Sequence, residues 1–210
     1  MARLSQLLWS GGLHQPLLFG TNNHMTLRSL EYFRSLASSF DGVPASAARK
    51  LALELDEARS KKSNVFICGN GGSAANANHW ANDLLYGAAK GGRGGVRAHS
   101  LSANTSVLMC LANDTGYDNV FSGQLDVLAS PGDILIALSG SGNSPNILRA
   151  IEAGNRIGMQ TWAIVGFDGG KALALAQHSI HFPVHDMQIA EDLQMVACHL
   201  ATQHLAGSAE

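Results

Sequence analysis

The chain has the sequence NVFICGNGGS at residues 64–73, where an apolar run ends at Cys68 and a glycine-rich segment follows. A short run rich in β-branched and aromatic residues, bounded by glycine, is typical of a buried strand. The glycines allow backbone N–H groups to approach a ligand closely, and Ser73 is well placed to begin a helix. This strand–turn–helix pattern suits an anion at the helix N-terminus, although a plain tight turn with a serine cap would use the same residues.

A second segment of the same kind has the sequence SGSGNS at residues 139–144 and follows the apolar run at residues 133–138. Three hydroxyls, two glycines and one amide in six residues are more than a turn requires. The segment contains no lysine and does not match GxxxxGK[ST], so it does not indicate a loop for a nucleoside triphosphate. Two such segments at the ends of two strands predict a site for the phosphate monoester of a sugar.

Short apolar runs alternate with helical periodicity along most of the chain. This alternation indicates an α/β fold with a parallel sheet covered by helices on both faces. Ligands of such sheets bind beyond the carboxyl ends of the strands, where both glycine-rich segments lie. Two helices precede the first strand, and we expect them to pack in an oligomer interface. The predicted strands are residues 64–68, 96–101, 133–138, 160–165 and 179–184, and the main predicted helices are residues 27–40, 45–60, 73–86, 105–112, 117–128, 144–157 and 187–204.

Composition limits the class of protein. The 210 residues include 14 Lys and Arg and 16 Asp and Glu, a net charge of −2 that gives no electrostatic case for nucleic acid or a membrane as partner. No apolar run reaches the ~18 residues of a membrane span, and no signal peptide is evident, so we expect a cytoplasmic protein. We divide it into an N-terminal extension, residues 1–24, and one domain, residues 25–210. The three cysteines lack CxxC spacing, which predicts buried free thiols.

Two His–carboxylate pairs are candidates for catalysis or metal binding. His79 and Asp83 are four residues apart on the helix that follows the first glycine-rich segment, so they lie on one face. On the last predicted helix, Glu191 and His199 lie on roughly one stripe. Two such pairs could hold a divalent metal, with zinc as the first choice for mixed nitrogen and oxygen ligands. A His and an Asp one turn apart are, however, often only a surface pair.

Three other polar residues are candidates for contacts with the sugar. Asn70 lies inside the first turn and is the better candidate. Asn113 and Asp114 could hydrogen-bond sugar hydroxyls, or they could simply end a helix, since both residue types favour caps and turns.

Three longer motifs resemble a known family. They are GNGGSAANANHWANDL at residues 69–84, SGSGNSPNILRAIEAG at residues 139–154 and GFDGG at residues 166–170. Through them the chain resembles the SIS (sugar isomerase) family from about Met25 to Leu205, and within it most closely the phosphoheptose isomerase branch. The resemblance implies a five-stranded flavodoxin-like sheet, a homotetramer with active sites between subunits, and a small-molecule sugar phosphate as ligand. It implies phosphate contacts from Ser73, Ser139, Ser141 and Ser144, and the turn glycines Gly71, Gly72 and Gly140 complete the predicted site.

The same resemblance implies roles for the His–carboxylate pairs. The family's His-x-x-x-Glu aligns with His79 and Asp83, and its Gln-x₇-His aligns with Glu191 and His199, so these four residues would bind zinc. The chain departs twice from the pattern, because Asp83 is one methylene shorter than glutamate and Glu191 adds a charge.

The implied activity is isomerisation of a ketose phosphate, first of all sedoheptulose 7-phosphate, to the aldose phosphate. The reaction would pass through an enediol(ate), with Asp83 as base and His199 as acid. Two alternatives stay open. One is a non-catalytic phosphosugar-binding or regulatory member of the family, such as those that bind the bacterial replication initiator. The other is an isomerase for a different ketose phosphate.

Overall fold

A computed structural model describes residues 23–40 and 45–207, which form a five-stranded sheet with helices on both faces. The strands lie in the order β2-β1-β3-β4-β5, and every neighbouring pair is parallel. They are β1 (Asn64–Gly69), β2 (Arg97–Ser100), β3 (Ile134–Ser139), β4 (Gln160–Val165) and β5 (His178–His181). The prediction of an α/β fold with five parallel strands is confirmed.

Helices precede, connect and follow these strands. They are α1 (Asn23–Ser38), α2 (Ala45–Lys61), α3 (Gly71–Asn82), α4 (Thr105–Thr115), α5 (Ser122–Leu128), α6 (Pro145–Ile157), α7 (Gly170–Leu175) and α8 (Met187–Ala206). Two of them, α3 and α6, begin at the two glycine-rich segments.

The sheet separates two apolar cores. Alternate residues of a strand point to opposite faces. Val65 and Ile67 therefore belong to the core built with α2, α3 and α8, whereas Phe66 and Cys68 belong to the core built with α5, α6 and α7. Burial on both faces explains why β1 and β3 are continuous apolar runs without alternation.

The helix predicted at residues 73–86 ends earlier than expected. α3 ends at Asn82, and Asp83–Gly87 form a π-helical turn that leads into a 3₁₀ turn at Ala88–Gly91. Single π-turns are rare and frequently lie at functional sites. The last strand also ends before the predicted residue 184, because Pro183 has no N–H to donate to a strand ladder.

The cysteine prediction is wrong at one position. Cys68 and Cys198 are buried free thiols, but Cys110 is exposed because α4 buries none of its residues in the described chain. Burial raises the pKa of Cys68 to about 12. The residue that directly precedes the first turn is therefore a protonated thiol at neutral pH and not a nucleophile.

The N-terminal helix is joined to the last helix by a hydrogen bond. The hydroxyl of Tyr32 in α1 donates to the Asp192 carboxylate of α8 at 2.5 Å, and this bond raises the pKa of Tyr32 to about 12. Residues 1–22 of the predicted extension lie outside the described part of the chain, so the domain boundary at residue 24 stays a prediction. Over the ranges that the structure describes, no helix is long and apolar enough to span a bilayer.

Candidate active site

The two glycine-rich turns meet at one edge of the sheet. β1 and β3 are neighbours, and Gly69 at the end of β1 is in register with Leu138 near the end of β3. The chain leaves β1 toward β2 on one side and continues from β3 toward β4 on the other. A reversal of this kind opens a crevice beyond the carboxyl ends of the strands, which is where ligands of open α/β sheets bind.

The first turn presents backbone donors. Asn70 occupies the N-cap position of α3, yet its side chain makes no capping hydrogen bond. As a result, no group in the described ranges accepts a hydrogen bond from the N–H of Gly72 or Ser73. Unpaired N–H groups at the positive end of a helix dipole suit an anion.

The second turn presents hydroxyl donors. Ser139 Oγ accepts a hydrogen bond from the N–H of Gly142 at 3.0 Å, and Ser141 Oγ accepts one from the N–H of Asn143 at 3.3 Å. A hydroxyl has one proton and two lone pairs, so a hydroxyl that accepts from its own turn still has its proton to donate. The turn therefore fixes the serine oxygens and leaves their protons available for a ligand.

A cavity of about 90 Å³ lies between the turns. Its walls are Asn70, Ser73, Leu138, Ser139, Gly140, Ser141, Ser144, Met187 and Glu191. All four serines that the family resemblance implies for phosphate contacts thus line one cavity.

Glu191 lies at this cavity and not with the histidines. A Cβ placed on Gly72 would lie only 2.1–2.5 Å from the carboxylate atoms of Glu191, so the carboxylate packs directly against the backbone of the first turn. A side chain at position 72 would displace it. The structure therefore separates Glu191 from the other three residues of the predicted metal set.

Ser73 is oriented by a buried amide. Its hydroxyl donates to Gln194 Oε1 at 3.0 Å, and Asn76 Nδ2 donates to the same oxygen at 3.2 Å. Gln194 is 1% exposed, and its Nε2 has no partner among the described groups. Ser73 must rotate its hydroxyl away from Gln194 before that proton can reach a phosphate.

The other three predicted ligands come together. His79 Nε2 lies 3.2 Å from His199 Nε2 and 3.4 Å from Asp83 Oδ2, and His199 Nε2 lies 3.7 Å from Asp83 Oδ2. These groups form a triad whose ligand atoms all lie within 4.8 Å of one another. Ligands about 2.0–2.1 Å from a tetrahedral zinc ion are ~3.3 Å apart, so the triad fits three corners of such a site.

The triad and the anion cavity share α3. The helix begins at the first turn and carries His79 in its last turn, while Asp83 opens the π-helical turn that follows. The two remaining candidates lie elsewhere. Asn113 and Asp114 pair with each other at 2.8 Å near the end of α4, and neither lines the cavity between the turns.

Comparison with known proteins shows which family the chain belongs to. The model of the SIS domain matches residues 31–166. The chain belongs to the SIS domain family. The chain is 40% identical over 146 residues to a phosphoheptose isomerase from Helicobacter pylori, and this alignment covers 70% of the chain and 76% of that relative. It is 36% identical over 168 residues to the phosphoheptose isomerase of Desulfovibrio desulfuricans, 80% of each chain. The structure of the phosphoheptose isomerase from Neisseria gonorrhoeae superposes with a TM-score of 0.78 at 27% identity, over 87% of this chain and 96% of that one.

Sequence reasoning missed three polar residues of this SIS domain. Gln194 is the hydrogen-bond acceptor of Ser73, and Asn146 and Tyr117 bind the side chain of Asn70. The sequence could have indicated Gln194, because it is a polar residue four positions from both Ala190 and Cys198 on the buried stripe of α8. No comparable pattern marks Asn146 or Tyr117.

The second turn of the SIS domain is predicted to tolerate no side chain at Gly142. The residue has φ +65°, and a Cβ there would lie 2.0 Å from the carbonyl oxygen of Gly169. We expect Gly142→Ala to lower the free energy of unfolding by about 2–4 kcal/mol, measured by urea denaturation, and to weaken phosphate binding. Gly132→Ala is the control, because Gly132 has φ +85° but open space around its Cβ. Equal stability of the two variants would contradict the tight contact.

Proposed function

We propose that the chain is an aldose–ketose isomerase acting on a sugar phosphate, with sedoheptulose 7-phosphate as substrate and a heptose 7-phosphate as product. One observation carries the proposal: α3 joins an anion cavity rich in free donors to a His–Asp–His triad. The names of the relatives support the same reaction, because the phosphoheptose isomerases of Helicobacter pylori and Desulfovibrio desulfuricans match most of the chain.

The phosphate is the handle of the substrate. The N–H groups of the first turn and the hydroxyls of Ser139, Ser141 and Ser144 bind it away from the reacting carbons. Binding energy from a remote group of this kind serves to position the reacting end. Because these donors carry no formal charge, they can bind a phosphate monoester but would not neutralise the larger negative charge of a triphosphate.

Proton transfer takes place at the triad. Asp83 removes a proton from the carbon next to the carbonyl and an enediol(ate) forms. His199 then delivers a proton to the neighbouring carbon, through a ring nitrogen that is not bound to metal. The carboxylate and the imidazole lie close enough for both to reach adjacent carbons of one substrate, since His199 Nε2 is 3.7 Å from Asp83 Oδ2. His79 is in contact with both groups and holds them together.

A zinc ion is part of this proposal. His79, Asp83 and His199 would hold it, because imidazole nitrogens and carboxylate oxygens are the ligands that zinc takes in catalytic sites. When bound, the metal supplies Lewis-acid polarisation of substrate oxygens. Glu191 lines the cavity, so it could bind the same ion only if its side chain moved away from the cavity wall. The proposed zinc ligands are therefore three residues, and Glu191 is a candidate for a fourth.

Tetrameric assembly in the cytoplasm completes the proposal. Exposed apolar side chains on four helices support assembly: Phe33 of α1, Leu53 of α2, Met109 of α4 and Val127 of α5. A tetramer of dihedral symmetry buries different surfaces of each subunit against different copies.

The purified protein should convert sedoheptulose 7-phosphate to an aldose phosphate. A coupled assay that detects the aldose phosphate measures the reaction. Removal of zinc with a chelator should abolish turnover, and added zinc should restore it. Tight binding of the ketose phosphate without turnover, with or without zinc, would favour the non-catalytic alternative. If the protein converts a shorter or longer ketose phosphate but not sedoheptulose 7-phosphate, the result would favour an isomerase with a different substrate.

A further inference from the structure

Asn70 is placed to cap its own helix but does not. Its backbone has φ −108° and ψ 152°, the extended geometry of an N-cap residue, and asparagine is among the preferred residues there. A capping asparagine accepts a hydrogen bond from the second or third N–H of the helix, here Gly72 or Ser73. Such a bond would occupy one of the N–H groups that the first turn leaves unpaired.

Asn146 holds the side chain of Asn70 instead. Asn70 Nδ2 donates to Asn146 Oδ1 at 2.9 Å, and Asn146 Nδ2 donates to Asn70 Oδ1 at 2.8 Å. The backbone N–H of Ile147, which can only donate, also contacts Asn146 Oδ1 at 3.0 Å and so fixes which atom of that amide is the oxygen. Asn146 is 1% exposed, so its orientation is set by these partners and not by water.

Tyr117 occupies the remaining lone pair. Its hydroxyl donates to Asn70 Oδ1 at 2.9 Å. A carboxamide oxygen has two lone pairs. With donors from Asn146 and Tyr117 on both of them, Asn70 Oδ1 has none left for its own helix.

We propose that Asn146 and Tyr117 are positioning residues that turn the carboxamide of Asn70 away from its helix cap and keep the N–H groups of Gly72 and Ser73 free for phosphate. The two asparagines, which we call the amide clasp, also join the first turn to α6 directly behind the second turn. The inference rests on the proposed function, because it assumes that the cavity between the turns binds phosphate.

The test compares inorganic phosphate binding by the full-length chain and its variants, measured by calorimetry. In Asn146→Ala the side chain of Asn70 is released to cap α3, and phosphate must compete with it. We expect phosphate affinity to fall about tenfold, the range set by the strength of an asparagine cap. Without ligand, backbone hydrogen exchange at Gly72 and Ser73 should become slower in this variant, because the new cap protects their N–H groups. A general loosening of the turn would make this exchange faster.

A second substitution separates capping from disruption. In Asn70→Ala/Asn146→Ala no side chain remains that can cap α3, so this double variant should bind phosphate more tightly than Asn146→Ala does. Tyr117→Phe removes one donor with little change in packing, and it should weaken phosphate binding by a smaller factor even if Asn146→Ala does not fold. Asn155→Ala is the matched control, because Asn155 is a partly buried, hydrogen-bonded asparagine at the far end of α6.

The outcomes are distinct. Wild-type affinity in Asn146→Ala and Tyr117→Phe would overturn the inference alone. So would a double variant that binds phosphate as weakly as Asn146→Ala, because the loss would then come from disruption and not from capping. A wild-type chain with no affinity for phosphate would overturn the proposed function, and the inference with it.

Discussion

Replacing Asp83 by asparagine should lower turnover of the ketose phosphate by about 10²–10⁴-fold, the usual contribution of a positioned general base. The amide has nearly the same shape but cannot accept the proton. Binding of the sugar phosphate should change little, because its proposed phosphate site lies between the turns at the other end of α3. The measurements are the turnover number and, separately, the dissociation constant of the substrate, both at saturating zinc because Asp83 is also a proposed zinc ligand.

The conservative variant distinguishes a base from a structural group. Asp83→Glu keeps the carboxylate and restores the side chain of the family pattern, so it should retain substantial activity. Asp126→Asn is the control for loss of an exposed carboxylate, since Arg156 is the one partner of Asp126 among the residues that the structure describes. Full activity in Asp83→Asn, or loss of substrate binding equal to its loss of turnover, would remove Asp83 from its assigned role.

Replacing His199 by alanine should abolish turnover and also release zinc. The substitution removes the proposed acid together with one of three ligands. Changing a group that only hydrogen-bonds to a metal ligand costs about 10- to 100-fold in metal affinity, and loss of a ligand itself should cost more. Zinc content after dialysis, determined by elemental analysis, and turnover at saturating zinc separate the two effects.

The matched control is His204→Ala on the same helix. His204 is exposed in the last turn of α8 and is not part of the triad of His79, Asp83 and His199, so its loss should leave both zinc content and turnover near wild type. A His199→Ala protein that keeps its zinc and its activity would contradict both assigned roles of His199.

The sequence could predict the elements that depend on local pattern. Continuous apolar runs located β1 and β3, and the glycine and serine segments located both turns, because these features follow from burial on two faces and from the needs of a tight turn. The i,i+4 spacing brought His79 and Asp83 to one face of a helix. That His199 joins them is a fact of packing between α3 and α8, which the residue types suggested but the spacing along the chain could not establish.

Other parts of the site depend on distances that spacing alone does not give. Glu191 and His199 lie on a similar stripe of α8, but eight residues separate them by about 12 Å along the axis. They can therefore face different parts of α3, and Glu191 contacts Gly72 while His199 contacts Asp83. The amide clasp joins residues 76 positions apart, and no local pattern marks either partner.

The continuity of α3 has a further consequence for the choice of substrate. Ser73 at the anion cavity and His79 at the triad are six residues apart, a rise of about 9 Å on a rigid helix. Hydrogen bonds along the backbone fix that length. Under the proposed function, the helix would therefore set the distance between the phosphate and the reacting carbons of the sugar. A shorter sugar with its phosphate in the same cavity would leave its carbonyl short of Asp83. Such an enzyme would reject substrates by length, without any residue that recognises the missing carbon atoms.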